Sequence, residues 1–176
     1  MKAALVLGSV NDMPVAEKAI ETLDRFNIEY EARILSAHRT PDAAAEFGRN
    51  ARGSGFGVII AFAGMAAHLA GAIAAHTTLP VIGVPCKGGA MDGLDALLST
   101  VQMPQGVPVA AVALNGGVNA ALLAIRILSL SDSRLADALE AYKQGLADDV
   151  LRKDAELRAA PTRLGSNIFG GTNGNL

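Results

Sequence analysis

The chain is 176 residues long with a formal net charge of −2, enough for one α/β domain with a well-buried core and too short for two domains of usual size. No global basic field exists to hold nucleic acid. The single cysteine, Cys86, excludes an internal disulfide framework, and no Cys/His cluster has metal-ligand spacing; a phosphate-bearing small molecule is compatible with this composition, and the cysteine count fits a reducing, cytoplasmic setting.

Residues 3–7 form a short apolar run ending in Gly8-Ser9, the pattern of a central parallel strand and a tight turn rather than a signal peptide. Asp12 then caps a helix in which Val15, Ala19, Leu23 and Phe26 share one face and Asn27 marks the end. Residues 29–35 read as a second strand. It stops at Ser36-Ala37-His38-Arg39-Thr40-Pro41-Asp42, where Thr40 is the expected N-cap and Pro41 the first helical position. His38 and Arg39 therefore stand on a short βα turn: an imidazole that can carry a proton near neutral pH, and a guanidinium that can grip a phosphate or carboxylate. The helix that follows runs to about residue 52.

Residues 57–62 are the most convincing buried strand, running into Ala63-Gly64-Met65-Ala66-Ala67-His68, where small residues let backbone N–H groups approach a ligand. A helix over 66–76 follows, without a clear polar face. A fourth strand covers 80–84 and is ended by Pro85; 86–89 is a flexible loop, and 92–101 a short helix. A fifth strand over 109–114 and an apolar helix over 119–130 come next. A last helix, capped by Asp132 or Ser133, carries the stripe Leu135, Leu139, Tyr142, Leu146 and Val150. Residues 161–176, rich in Gly and Asn, read as a mobile tail after a single domain of residues 1–160.

With 51% hydrophobic residues, only 4% aromatics and no Trp, the core must be built from Ala, Val, Leu and Ile, and its helices should approach tightly, some of them between subunits. No stretch holds about 18 uninterrupted strongly apolar residues, so no membrane span is expected. Five strands alternating with helices require a parallel sheet with right-handed crossovers, a three-layer α/β/α sandwich of flavodoxin-like type. In the order 2-1-3-4-5 a ligand sits where the order reverses, over residues 8–12 and 63–68 and beside the turn of His38.

Gly8-Ser9-x-x-Asp12, Ser36-Ala-His-Arg-Thr-Pro-Asp42, Ala63-Gly-x-Ala-Ala-His-Leu69, Leu79-Pro-Val-Ile-Gly-Val-Pro85 and Ser99-x-Val-Gln-Met-Pro104 together closely resemble the bacterial N5-carboxyaminoimidazole ribonucleotide mutases of purine biosynthesis. The resemblance spans roughly residues 3 to 130. It implies a homo-octamer of flavodoxin-like subunits, no metal or organic cofactor, and transfer of a carboxylate from an exocyclic nitrogen to a carbon of the substrate's imidazole ring. By the same resemblance His38 is the acid/base residue and His68 lies near the transferred carboxylate. Ser9, Asp12 and Arg39 bind the phosphorylated ribonucleotide, and Ser36 and the backbone at Gly64 shape the pocket. Met65 and Ala70 depart from the Gly and Pro of many relatives.

Three other readings compete. A carboxylase branch using free carbon dioxide commonly has Lys after the motif histidine and lacks the Ala-Ala-His-Leu loop. A flavin- or nucleotide-binding module would need a ring-stacking aromatic, for which Phe62 is the candidate, and a Ser9–His38–Asp12 hydrolase triad lacks the Gly-x-Ser-x-Gly elbow. A helix-start cap is the bland alternative for His68, and His76 belongs to no motif.

Overall fold

The computed structural model describes residues 1–159. Its sheet is built from β1 (Lys2–Leu7), β2 (Tyr30–Ile34), β3 (Phe56–Gly64), β4 (Val81–Cys86) and β5 (Ala110–Ala111). Every pairing is parallel and the order is β2-β1-β3-β4-β5, as the alternation of strands and helices required. The expected flavodoxin-like architecture is present.

Side-chain alternation along the strands divides the core between the two faces. Ala4, Val6, Ile59 and Ala61 face α2 (Pro41–Ala51) and α3 (Leu69–Ala74), burying Ala44, Ala51, Leu69 and Ile73 with them. The opposite set, Ala3, Leu5, Leu7, Val58, Ile60 and Phe62, is at most 1% exposed and lies under α1 (Met13–Arg25) and α5 (Gly117–Ser129). The last two helices come very close. A methyl on Gly117 would stand 2.2 Å from the Val15 carbonyl oxygen, well inside van der Waals contact, so only glycine fits there. Ala120, Ala121 and Ala124 are each 0% exposed, so the tight alanine packing expected of this helix is satisfied within the subunit and needs no second copy.

Several element boundaries differ from expectation, four of them for a plain local reason. α3 has six residues instead of the eleven of 66–76, because Met65 takes a left-handed backbone, φ 55°, and Ala66 and Ala67 continue that turn. α4 (Leu94–Val101) starts two residues late because Asp92 and Gly93, at φ 51° and 96°, lie outside the right-handed region. β5 is two residues long: Pro108 has no N–H to offer, and after Val112 bonds to the Gly83 carbonyl the chain turns at Asn115, φ 56°. β4 in turn runs through Pro85 to Cys86. The Pro85 carbonyl faces Asn115, so its missing N–H lies on the side where no strand remains to be paired.

Asp12 and Thr40 stand at the N-cap positions of α1 and α2, but neither side chain caps its helix. Both are spent on the loops before those helices. Asn27, φ 53°, closes α1 as expected.

The chain divides into two compact units, Met1–Leu139 and the part from Glu140 onward. The first holds the sheet and α1 to α5. In the second, α6 (Ser133–Ala159) continues with no buried residue and is stabilised along its length by pairs one turn apart: Gln144 with Asp148, Lys153 with Asp149, Arg152 with Glu156 and Arg158 with Asp154. The expectation of a mobile tail over residues 161–176 lies outside the described residues.

Candidate active site

Because β1 lies between β2 and β3, the loops leaving the carboxyl ends of these three strands share one edge of the sheet. Backbone bonds draw them together there: Leu35 N–H donates to the Leu7 carbonyl at 2.9 Å and Gly8 N–H to the Phe62 carbonyl at 2.9 Å.

The loop after β2 is closed on itself. Ser36 N–H donates to the Thr40 hydroxyl at 2.9 Å, that hydroxyl donates back to the Ser36 carbonyl at 3.1 Å, and Arg39 N–H donates to the Ser36 hydroxyl at 3.1 Å. Ser36 and Thr40 thus act as a clasp. Between them His38 and Arg39 project into solvent, both exposed. The His38 ring meets His68 from the loop after β3, Nε2 to Nδ1 at 2.8 Å, with ring centroids 5.0 Å apart and planes at 74°. One of these nitrogens carries the hydrogen and the other the lone pair. His68 occupies the N-cap position of α3 without a side-chain capping bond, so its imidazole is free for the partnership with His38.

Arg39 reaches from the same loop toward β1, with Nη2 donating to the Gly8 carbonyl at 3.4 Å and Nε to the Ser36 hydroxyl at 3.5 Å. These bonds are long. The guanidinium keeps most of its donors available.

Ser9 and Asp12 form a reciprocal capping box around the 3-10 turn Val10–Asp12 that precedes α1. Asn11 N–H donates to the Ser9 hydroxyl at 3.2 Å, and Ser9 N–H to the Asp12 carboxylate at 2.9 Å. Asp12 is 6% exposed. Burial raises its pKa above the ordinary carboxylate value, while the Ser9 N–H and the Cys86 side chain oppose the rise.

Gly64, the last residue of β3, pairs in register with Cys86 of β4. A methyl on Gly64 would approach the Cys86 carbonyl oxygen to 3.1 Å, so glycine lets the two strand ends stay close. Cys86 is not a loop residue, as the run of small residues after it suggested. The residue is 3% exposed, its thiol donates to the Val84 carbonyl at 3.6 Å, and burial, with the Asp12 carboxylate nearby, pushes its pKa up to about 12. Sequence reasoning missed this neighbourhood because it brings together residues 12 and 86, far apart in the chain.

The expected site residues therefore fall into two linked groups: Ser36, His38, Arg39 and His68 over β2 and β3, and Ser9, Asp12 and Gly64 over β1 and β3. His76 belongs to neither. It follows α3 at the opposite edge of the sheet, in a groove of 480 Å³ with Arg49, Arg52 and Thr78. A second groove of 390 Å³ lies between β2 and α2, lined by Glu31, Arg33, Glu46 and Phe47. Neither touches the histidine pair.

Two competing readings fail on this geometry. Phe62 is 0% exposed and offers no face for a ring to stack on. The Ser9 hydroxyl accepts from Asn11, while His38 bonds to His68, so no Ser–His–Asp relay is assembled. What remains is an open acid/base pair flanked by a cation and by a hydroxyl–carboxylate turn, a set suited to proton transfer on a small anionic substrate.

The AIR carboxylase family model matches residues 2–149 of this chain. The chain is 51% identical over 150 residues to the N5-carboxyaminoimidazole ribonucleotide mutase of Saccharolobus solfataricus, covering 85% of this chain and 95% of that one. It is 49% identical over 163 residues to the mutase of the same name from Mycobacterium tuberculosis, covering 93% and 94%. Among solved structures it is similar to PurE of Treponema denticola, with a TM-score of 0.81 and 32% identity, covering 88% and 97% of the two chains.

Proposed function

We infer the chemistry of this site from one premise: the chain belongs to the AIR carboxylase family. It is an enzyme of purine biosynthesis that converts N5-carboxyaminoimidazole ribonucleotide to 4-carboxyaminoimidazole ribonucleotide. The roles of individual residues follow from the proton balance of that conversion, and the observation that carries them is the bond between His38 and His68.

Breaking the nitrogen–carboxylate bond releases carbon dioxide and leaves an amine nitrogen that needs a proton. Forming the bond from carbon dioxide to the ring carbon leaves a carbon that must lose one. The two movements cancel. A single acid/base group can therefore give its proton to nitrogen in the first half and recover one from carbon in the second, and His38 is that group. His68 holds the His38 ring by the lone pair or hydrogen it presents, and lies beside the carboxylate in transit. Arg39 takes the phosphate, where a guanidinium can offer two parallel donors. Asp12, an acceptor-only carboxylate, suits ribose hydroxyls, with Ser9 beside it. Ser36 fixes the loop, and Gly64 lets the backbone approach the substrate. This reading uses neither metal nor organic cofactor.

The test is to offer the purified protein the carbamate substrate, or separately aminoimidazole ribonucleotide with bicarbonate. The expected result is conversion of the carbamate without added bicarbonate. Turnover of aminoimidazole ribonucleotide with bicarbonate alone would move the protein to the carboxylase branch, and binding without turnover would make it a nucleotide-binding module.

The resemblance to the bacterial mutases further supports a cytoplasmic homo-octamer. Among the described residues no helix is long and apolar enough to cross a membrane. α4 exposes Leu94, Leu98 and Val101 by 50%, 46% and 44%, at the i, i+4, i+7 spacing of one helix face. An apolar stripe of that kind is normally covered by a partner, and a neighbouring copy in closed symmetry covers it. Leu98→Asp should lower the sedimenting mass; a fully active monomer at assay concentration would dismiss the octamer.

A further inference from the structure

We propose that Lys87 is a second cation of the substrate site: its ammonium takes the carboxylate that the reaction moves, giving up Asp92 to do so. This rests on the reading that the carboxylate is handled beside His38 and His68 while Arg39 holds the phosphate.

Substrate and product each carry two anionic groups, a phosphate at one end and a carboxylate on or beside the imidazole ring at the other. The loops that leave the carboxyl ends of the five strands, residues 8–12, 35–40, 65–68, 87–93 and 112–116, hold two Lys or Arg residues between them, Arg39 and Lys87. Arg39 comes from the loop after β2 and reaches toward β1. Lys87 comes from the loop after β4, on the other side of the loop that carries His68. Strand pairing sets how near it stands: Gly64 and Cys86 are register partners, neighbouring strands lie about 4.8 Å apart, and Lys87 leaves β4 one residue beyond that pair. The two loops then pack side by side, since a methyl on Gly89 would stand 3.3 Å from Met65 Cγ. The four-carbon stem of a lysine carries its ammonium across one such spacing.

The backbone of Lys87 is held while its charge is left open. Its N–H donates to Asn115 Oδ1 at 2.7 Å, and Asn115 N–H donates to the Pro85 carbonyl at 2.8 Å. From the other end of the loop Gly93, φ 96°, closes on it so tightly that a methyl there would stand 3.2 Å from the Lys87 Cα. Among the described residues its one ion pair is with Asp92, at 2.9 Å, and the two side chains are 51% and 75% exposed. A pair so open to water contributes little to stability. A carboxylate already brought into place by the rest of a bound nucleotide therefore displaces Asp92 easily, and it gains a charge-assisted bond to an ammonium whose base is fixed.

The experiment measures by titration calorimetry the Kd of 4-carboxyaminoimidazole ribonucleotide and of aminoimidazole ribonucleotide, which has the same phosphate and ring but no carboxylate. The unaltered protein is compared with Lys87→Met, Lys87→Gln, Lys87→Arg, Asp92→Asn and Arg39→Ala, with the melting temperature of each. Lys87→Met and Lys87→Gln should raise the Kd of the carboxylated ligand about 10-fold, the low end for a hydrogen bond to a charged group, and leave that of the other within about twofold. The carboxylate is present in substrate and product alike, so KM should rise with the Kd while kcat holds within about threefold. Lys87→Arg should recover most of the loss, and Asp92→Asn, which frees the ammonium, should bind the carboxylated ligand at least as well as the unaltered protein. If Lys87 serves only to clip its own loop to Asp92, then Lys87→Met and Asp92→Asn act alike on both ligands and on the melting temperature, and the inference is wrong. It is equally wrong if the Lys87 variants weaken both ligands to the same extent, or neither. Arg39→Ala weakening both ligands while the Lys87 variants weaken neither removes Lys87 and leaves the site standing; an unaltered protein that binds neither ligand means that the reading beneath this inference has failed.

Discussion

Replacing His38 by Asn should lower kcat by about 10²- to 10⁴-fold, the usual contribution of a positioned acid/base group, while the Kd for the ribonucleotide changes little. Asparagine keeps a polar group of similar reach, so the clasp of Ser36 and Thr40 that presents it is undisturbed; those bonds involve the backbone and hydroxyls of residues 36, 39 and 40 and not the imidazole. The loss is of proton traffic. Both half-reactions need it, so neither release of carbon dioxide from the carbamate nor carboxylation of the ring carbon should survive at normal rate. Isotope exchange at the ring carbon should fall in parallel with turnover. Near-normal kcat would remove His38 from the proton path. His68 would then be the only imidazole left in the pair to carry it.

Replacing Arg39 by Ala should raise the Kd about 10- to 150-fold, equivalent to roughly 1.5–3 kcal/mol, the range for a hydrogen bond to an ionised group. Little stability should be lost with it. In the free enzyme the guanidinium makes only bonds of 3.4 and 3.5 Å to the Gly8 carbonyl and the Ser36 hydroxyl, and its side chain is exposed. The free enzyme thus holds a cation ready for an anion without depending on it for folding. Lysine should restore part of the affinity as a point charge without the two-pronged geometry. Titration calorimetry with the phosphorylated substrate, and with its nucleoside lacking phosphate, decides the matter: if Arg39 grips the phosphate, the variant discriminates far less between the two, and an unchanged preference would place the phosphate elsewhere.

The topology and the meeting of the three loops were legible in the sequence because both rest on periodicity and on turn chemistry. Apolar runs at 3–7 and 57–62 could only be central strands, and once β1 stands between β2 and β3 the loops that carry Ser9, His38 and His68 have no other place to go. Local motifs could not say where each polar side chain would spend its bonds. Asp12 and Thr40 both looked like helix caps, and each instead closes the loop before its helix. Cys86 looked like the start of a mobile loop, because Pro85 reads as a strand terminator until one knows that the strand beside it is two residues long. The alanine-rich helix at 119–130 pointed to a subunit interface, yet Ala124 is 0% exposed against its own subunit, since Gly117 lets α1 and α5 close to a distance that no amino-acid pattern specifies.

β2 is paired on one side alone, and four of its five residues are exposed. The strand from which the proposed catalytic loop hangs is therefore the least protected of the longer strands, held to the sheet by its pairing with β1 alone. With the roles proposed above, a substrate held at once by Arg39 from the loop after β2 and by Ser9 and Asp12 from the loop after β1 would bridge the seam between those strands. On those roles the substrate's affinity would be added to the pairing of an edge strand, and β2 should be better protected with nucleotide bound than without it.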